Sequence, residues 1–198
     1  MMNVEKSKLS EFMREAHSNI YYNNVAKDYR EEWERTKLIS TKPIENYNTK
    51  NFKRFRNRFN YLYNDGKDIK EQRIKIVPLG LNNFCHYNSK LAVEIFGDDF
   101  ERVIGYNINF CECGKHINCE IHSVVRDKRN GTLYDLTKDF DNMKEKLFIE
   151  ILDKEKAEDI QLSKNVDFIN NGVYSHYCKR SWFQLVNVVG VDLFNVDE

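Results

Sequence analysis

Between residues 101 and 137 the chain alternates. In ERVIGYNINF (101–110), Ile104, Tyr106, Ile108 and Phe110 fall on one side of an extended segment, the period of two that a half-buried strand requires. CEIHSVVRD (119–127) and TLYDLT (132–137) continue the pattern across the punctuation KRNG. KLFIEIL (146–152) reads as a further strand or a short helix, and RIKIVPLG (73–80) as a short strand or extended entry. Consecutive short strands with turn residues between them predict an antiparallel sheet. The rest of the chain must cover it.

The covering material lies upstream. Leu9, Phe12, Met13, Ala16 and Ile20 recur at helical spacing, and the Asn-rich YYNN (21–24) breaks that run before a second helical stretch with Val25, Tyr29 and Trp33. Pro43 marks a connector. KNFKRFRNRFNYLY (50–63) carries Phe52, Phe55, Phe59 and Leu62 on one stripe, with Lys50, Lys53, Arg54, Arg56 and Arg58 around it. Basic residues interleaved with aromatics can meet nucleic acid; an amphipathic helix with a solvated basic face is the plainer reading. NDG (64–66) is a turn. NNFCHYNSKLAVEIFG (82–97) then predicts a helix over 85–96, with Leu91, Ala92, Ile95 and Phe96 apolar and Gly97 at its C-terminal cap. Polar, helix-like residues 153–165 precede YSHYCKRSWFQLVNVVGVDLF in the tail. Helices, then one helix led by Cys85, then strands is the order of an α+β fold. We read residues 1–70 as a helical N-terminal segment and 71–198 as an α+β core domain.

Composition removes several function classes. Lys+Arg and Asp+Glu both number 31 in 198 residues, so global charge draws the chain to neither nucleic acid nor membrane. The charged start, MMNVEKSKLSEFMREAH, lacks a signal-peptide apolar run, and no stretch approaches a bilayer span. The expectation is a cytoplasmic protein. In a reducing compartment, five cysteines are metal ligands, nucleophiles or core residues rather than disulfides.

Cys85 is the first candidate. A thiol at a helix N-terminus is easily ionised, because the first-turn amides and the helix dipole favour the anion. A cysteine nucleophile also needs an imidazole and a group that fixes it. His122 in EIHSVV and Asp135 in GTLYDLT supply both, on successive strands. Cys85 in NNFCHYNS, followed by that histidine and that aspartate, resembles the papain-like fold in its broad sense, especially its transglutaminase-like branch. The resemblance covers about residues 80–140. It implies a Cys-His-Asp triad at a helix end packed on an antiparallel sheet, acting on an amide of a protein or peptide. The chain departs from the pattern at two places: His86 replaces a bulky aromatic after the nucleophile, and no Gln stands upstream as oxyanion donor. Asn83 or Asn82, with the Cys85 backbone N–H, would take that part.

The triad makes a demand on the hairpin. A two-residue Asn130-Gly131 turn would pair Asp135 with Arg126 and leave His122 roughly 13 Å away at ~3.3 Å per residue. A four-residue loop, Asp127 to Asn130, would set His122 directly opposite Asp135. The triad reading therefore predicts the longer loop.

A second cluster, CECGKHINC, holds Cys111, Cys113, His116 and Cys119 within nine residues. Thiolates and imidazole are zinc ligands, and four would close a structural tetrahedral site. The C-x-C-x2-H-x2-C spacing is tight for one loop, so His176 or Cys178 from YSHYC could complete it. Three functions follow: a cysteine-dependent hydrolase or acyltransferase (protease, deamidase or transglutaminase-like), a small zinc-stabilised protein-binding module in which Cys85 is core, and a catalytically inactive relative of the first.

Overall fold

A computed structural model describes residues 2–18, 49–81, 84–110, 117–137 and 145–158. The elements in chain order are α1 (Lys6–Ser18), α2 (Thr49–Tyr63), β1 (Gln72–Ile76), α3 (Cys85–Phe96), β2 (Phe100–Phe110), β3 (Ile117–Asp127), β4 (Thr132–Asp135) and β5 (Glu145–Glu150). Helices and strands are mixed as expected for α+β, and the segment read at 146–152 as strand or short helix is strand over Glu145–Glu150. The strand order is β1-β4-β3-β2-β5.

The sheet is not wholly antiparallel. β3 pairs antiparallel with β4, and β2 with β5, but β1 runs parallel to β4, with Lys75 level with Tyr134 and Ile76 with Asp135. Parallel neighbours need a long crossover rather than a hairpin. Here α3, β2 and β3 all lie between the two strands in sequence, which a strand-by-strand reading of alternation does not reveal.

The chain divides into two compact units. The first comprises Met1–Lys37, Arg73–Val103 and His122–Lys146; the second comprises Leu38–Gln72, Ile104–Ile121 and Leu147–Glu198. Each has its own apolar core. In the first, Phe12 and Ala16 of α1 pack with Ala92 and Phe96 of α3, with Phe100, and with Val125, Tyr134 and Leu136. The Phe12 and Phe96 rings lie 5.5 Å apart, and those of Phe96 and Phe100 lie 5.4 Å apart, tilted and edge-on as aromatic quadrupoles prefer. Lys8 Nζ donates to the Phe96 carbonyl at 3.0 Å, placing a cation at the negative end of α3. Tyr87 Oη donates to the Glu15 carbonyl at 3.4 Å. α1 thus fixes α3 at both ends.

In the second unit, Phe52 and Phe59 of α2 pack with Ile104, Tyr106 and Ile108 of β2 and Leu147, Ile149 and Ile151 at β5. The stripe read from sequence on 50–63 therefore contributes to a core, as an amphipathic helix does. Arg56, one of its basic residues, is spent on Glu71 at 2.9 Å and Asp68 at 3.8 Å. Among the described residues, no helix is long and apolar enough to cross a membrane. The second helical stretch expected around Val25–Trp33, the connector at Pro43, and the tail from 159 onward lie outside the described residues.

Candidate active site at the start of α3

α3 starts at Cys85 and ends at Gly97, as its sequence predicts. Phe84 is the N-cap, and its side chain makes no capping hydrogen bond. First-turn amides are donors that no preceding residue satisfies within a helix, so Cys85 occupies a position that favours an anion. The buried positions are Cys85, Asn88, Ser89, Ala92 and Phe96. They trace one helical stripe, polar at its N-terminal half and apolar at its C-terminal half.

His122 and Asp135 meet by a register different from the expected one. The β3–β4 ladder pairs Val125 with Tyr134, Arg126 with Leu133 and Asp127 with Thr132. The loop has four residues, but it runs from Lys128 to Gly131, one residue later than predicted. One step further along this ladder sets Asp135 level with Val124. His122 lies two residues beyond, on the same side of the strand, so it is a diagonal neighbour, which long side chains still reach. The reason lies in the turn. The Asp127 carbonyl accepts from Gly131 N at 2.8 Å and Asn130 N at 3.3 Å, and the Asp127 carboxylate accepts from Arg129 N at 3.1 Å and Arg129 Nε at 2.8 Å. Gly131 has φ +72° and belongs inside the loop, where a residue without Cβ adopts that backbone freely.

The resulting contact is short. His122 Nε2 lies 2.8 Å from Asp135 Oδ2. The other carboxylate oxygen, Oδ1, accepts from Thr137 N at 2.9 Å. Asp135 is 0% exposed and His122 6%. Cys85 is 8% exposed. The helix start is packed within its unit, so the thiol is buried rather than partly solvent-accessible.

Burial and charge compete at each of the three groups. Burial is the largest influence on Cys85 and pushes the thiol up, but the charges of His122 and His86 and hydrogen bonds with both imidazoles outweigh it. The thiol lies well below its ordinary 9.0. Burial likewise opposes the charged form of His122. The Asp135 carboxylate, the Cys85 thiolate and hydrogen bonds to both override it, raising the imidazole well above 6.5. For Asp135, burial raises and His122, Lys146 and the Thr137 amide lower, with a net value below 3.8. All three shifts favour the charged forms: thiolate, imidazolium and carboxylate. With Nε2 committed to Asp135, Nδ1 is the ring nitrogen left for Cys85.

Several contributors carry no motif in the sequence. Adjacent helical residues point in different directions, yet His86 too acts on the thiol. Its Nδ1 is buried and has no hydrogen-bond partner among the described residues. Arg102 lies close enough that the Cys85 charge partly offsets the lowering that burial imposes on it. Ser89 Oγ and Ser123 Oγ are 2.6 Å apart, tying α3 to the strand residue after His122. Asn88 is fully buried. The usable signal was positional: Asn88 and Ser89 follow Cys85 at i+3 and i+4, the face it shares.

Asn83 (and Asn82), Cys111, Cys113, His116, His176 and Cys178 lie outside the described residues. Cys119 lies on β3. Among the described residues, no group of three or more His, Cys, Asp or Glu side chains could hold a metal ion. Compared with protein-family models, curated proteins and solved structures, the chain matches none.

Proposed function

We propose that the protein is a cysteine-dependent hydrolase or acyltransferase acting on an amide of a protein or peptide. The observation that carries the reading is the buried His122–Asp135 pair at 2.8 Å beside a thiol at the first residue of a helix. Strongly perturbed, mutually supporting titratable groups concentrate at functional sites. A thiolate, an imidazolium and a carboxylate in series match the needs of acyl transfer.

In this reaction the Cys85 thiolate attacks the amide carbon, and an S–C bond forms. As the C–N bond breaks, His122 Nδ1 gives its proton to the departing nitrogen. A thioester remains, and the imidazole is neutral. Water or an amine then attacks the thioester while His122 Nδ1 takes its proton; the C–S bond breaks and the thiolate returns beside an imidazolium. Asp135 accepts the Nε2–H throughout and holds the ring in one tautomer. The Cys85 amide and Asn83 are the proposed donors to the oxyanion.

An electrophilic probe for nucleophilic cysteines, followed by peptide mapping, tests this. Wild type should be labelled at Cys85 near neutral pH in preference to the other four cysteines. His122→Ala should lose most of that labelling. Equal labelling of all accessible cysteines in both proteins would reject the reading.

A further inference from the structure

The triad accounts for three side chains but not for what holds Asp135 in place relative to α3. Asn88 sits one helical turn after Cys85, on the same face, and is fully buried. Its amide is spent on three partners. Oδ1 accepts from Leu81 N at 3.0 Å; Nδ2 donates to the Leu81 carbonyl at 2.8 Å and to Thr137 Oγ1 at 3.3 Å. Both N–H donors of the amide are therefore used. Thr137 in turn donates its backbone N–H to Asp135 Oδ1. The segment before α3 is drawn in as well. Gly80 N donates to the Leu136 carbonyl at 2.8 Å, and a Cβ at Gly80 would overlap the Asn88 amide. Only glycine lets the side chain lie there.

We infer that Asn88 and Thr137 form a positioning relay that sets the Asp135 carboxylate, and through it the His122 ring, relative to the Cys85 end of α3. The inference rests on the proposed triad. The relay runs from the nucleophile's own helix, through the Asn88 amide to the Thr137 hydroxyl, and from the Thr137 backbone N–H to the oxygen of Asp135 that His122 does not use. A carboxylate held at both oxygens has one orientation, and the imidazole it anchors then has one too. A buried asparagine that only stitched the loop before α3 would need its Leu81 bonds but not its bond to Thr137.

The test reads the pH dependence of Cys85 alkylation by iodoacetamide in five proteins: wild type, His122→Ala, Thr137→Val, Thr137→Ser and Asn88→Ala. Thr137→Val keeps the volume and the backbone N–H but removes the acceptor for Asn88. Its profile should move upward by about one pH unit, a tenfold slower alkylation on the acidic limb. Thr137→Ser, which keeps the hydroxyl, should restore the wild-type midpoint. Asn88→Ala should shift it at least as far as Thr137→Val; should Asn88→Ala fail to fold, the threonine pair decides alone. A Thr137→Val midpoint equal to wild type, while His122→Ala differs, overturns the relay and leaves the triad standing. Coincident profiles for wild type and His122→Ala overturn the triad, and the relay with it.

Discussion

The two units differ in the polar groups they bury. In the second, the buried side chains Asn60 and Asn64 are neutral amides that stitch backbone. Asn60 Nδ2 donates to the Ile69 carbonyl at 2.9 Å; Asn64 Nδ2 donates to Asn60 Oδ1 and the Glu150 carbonyl, and Asn64 Oδ1 accepts from Leu152 N at 2.9 Å. Each bond satisfies a group that burial would otherwise leave bare. In the first unit, a thiol, an imidazole and a carboxylate are buried together and biased toward their charged forms. Burying charge costs more than burying amides, and an apolar replacement of such a group often stabilises. Stability alone therefore explains Asn60 and Asn64 and does not explain the charges gathered at Cys85, His122 and Asp135. That asymmetry is the physical ground for assigning chemistry to the first unit.

The largest effect that sharpens the contrast is on turnover. Cys85→Ala and His122→Ala should each reduce amide cleavage or transfer by at least about 10³-fold, while Asp135→Asn leaves a weakened enzyme. Circular dichroism should show all three folded. Loss of fold in all three would place these residues in packing and erase the distinction between the units.

Metal dependence is a further test. We propose that CECGKHINC binds one structural zinc. Purified protein should carry stoichiometric zinc that Cys113→Ser removes, measured by inductively coupled plasma mass spectrometry. A metal-free protein with unchanged thermal stability in strong chelator would contradict this.

In the second unit, Asn64→Ala should cost about 1–3 kcal/mol in urea denaturation, because it removes the donor to the Glu150 carbonyl and the acceptor of the Leu152 amide. Cys85 alkylation should stay at the wild-type rate. A changed alkylation rate in this variant would mean the amides do more than stitch.

Stability against pH follows from the directions of the shifts. Asp135 is lowered below 3.8 on folding, so its contribution is present above that value and is lost as pH falls through the lower folded one. His122 is raised above 6.5, so its contribution is complete below 6.5 and is lost as pH rises through the raised folded value. Asp135→Asn should therefore flatten the acid limb of a stability profile and His122→Ala the alkaline limb. The smallest effect should come from His86→Ala: the Cys85 alkylation midpoint moves upward, by less than in His122→Ala.

Much of the site's geometry was legible because it rests on residue type and period. The helix bounds 85–96, the Gly97 cap and the strands carrying His122 and Asp135 all follow from spacing. The register was not. It turns on Asp127, whose carbonyl and carboxylate gather the loop amides, and on the positive φ of Gly131; local alternation does not encode a one-residue slide of the loop. The parallel pairing of β1 with β4 was also hidden, because it joins residues some sixty apart, Lys75 and Tyr134 among them. Asn88 and Thr137 escaped notice for a different reason. A neutral polar residue on the inward face of a helix breaks an apolar pattern without announcing a partner, and only the fold shows that Asn88 reaches Thr137.

The central claim is that Cys85 is a thiolate because His122 stands beside it. Ultraviolet thiolate absorbance, titrated from acid to alkaline pH and taken as wild type minus Cys85→Ala, measures this directly when repeated in a His122→Ala background. The account predicts a Cys85 thiolate already present at neutral pH in the wild-type difference spectrum and largely lost in the His122→Ala background. A difference spectrum that rises only near the ordinary thiol value of 9.0, with or without His122, would contradict it.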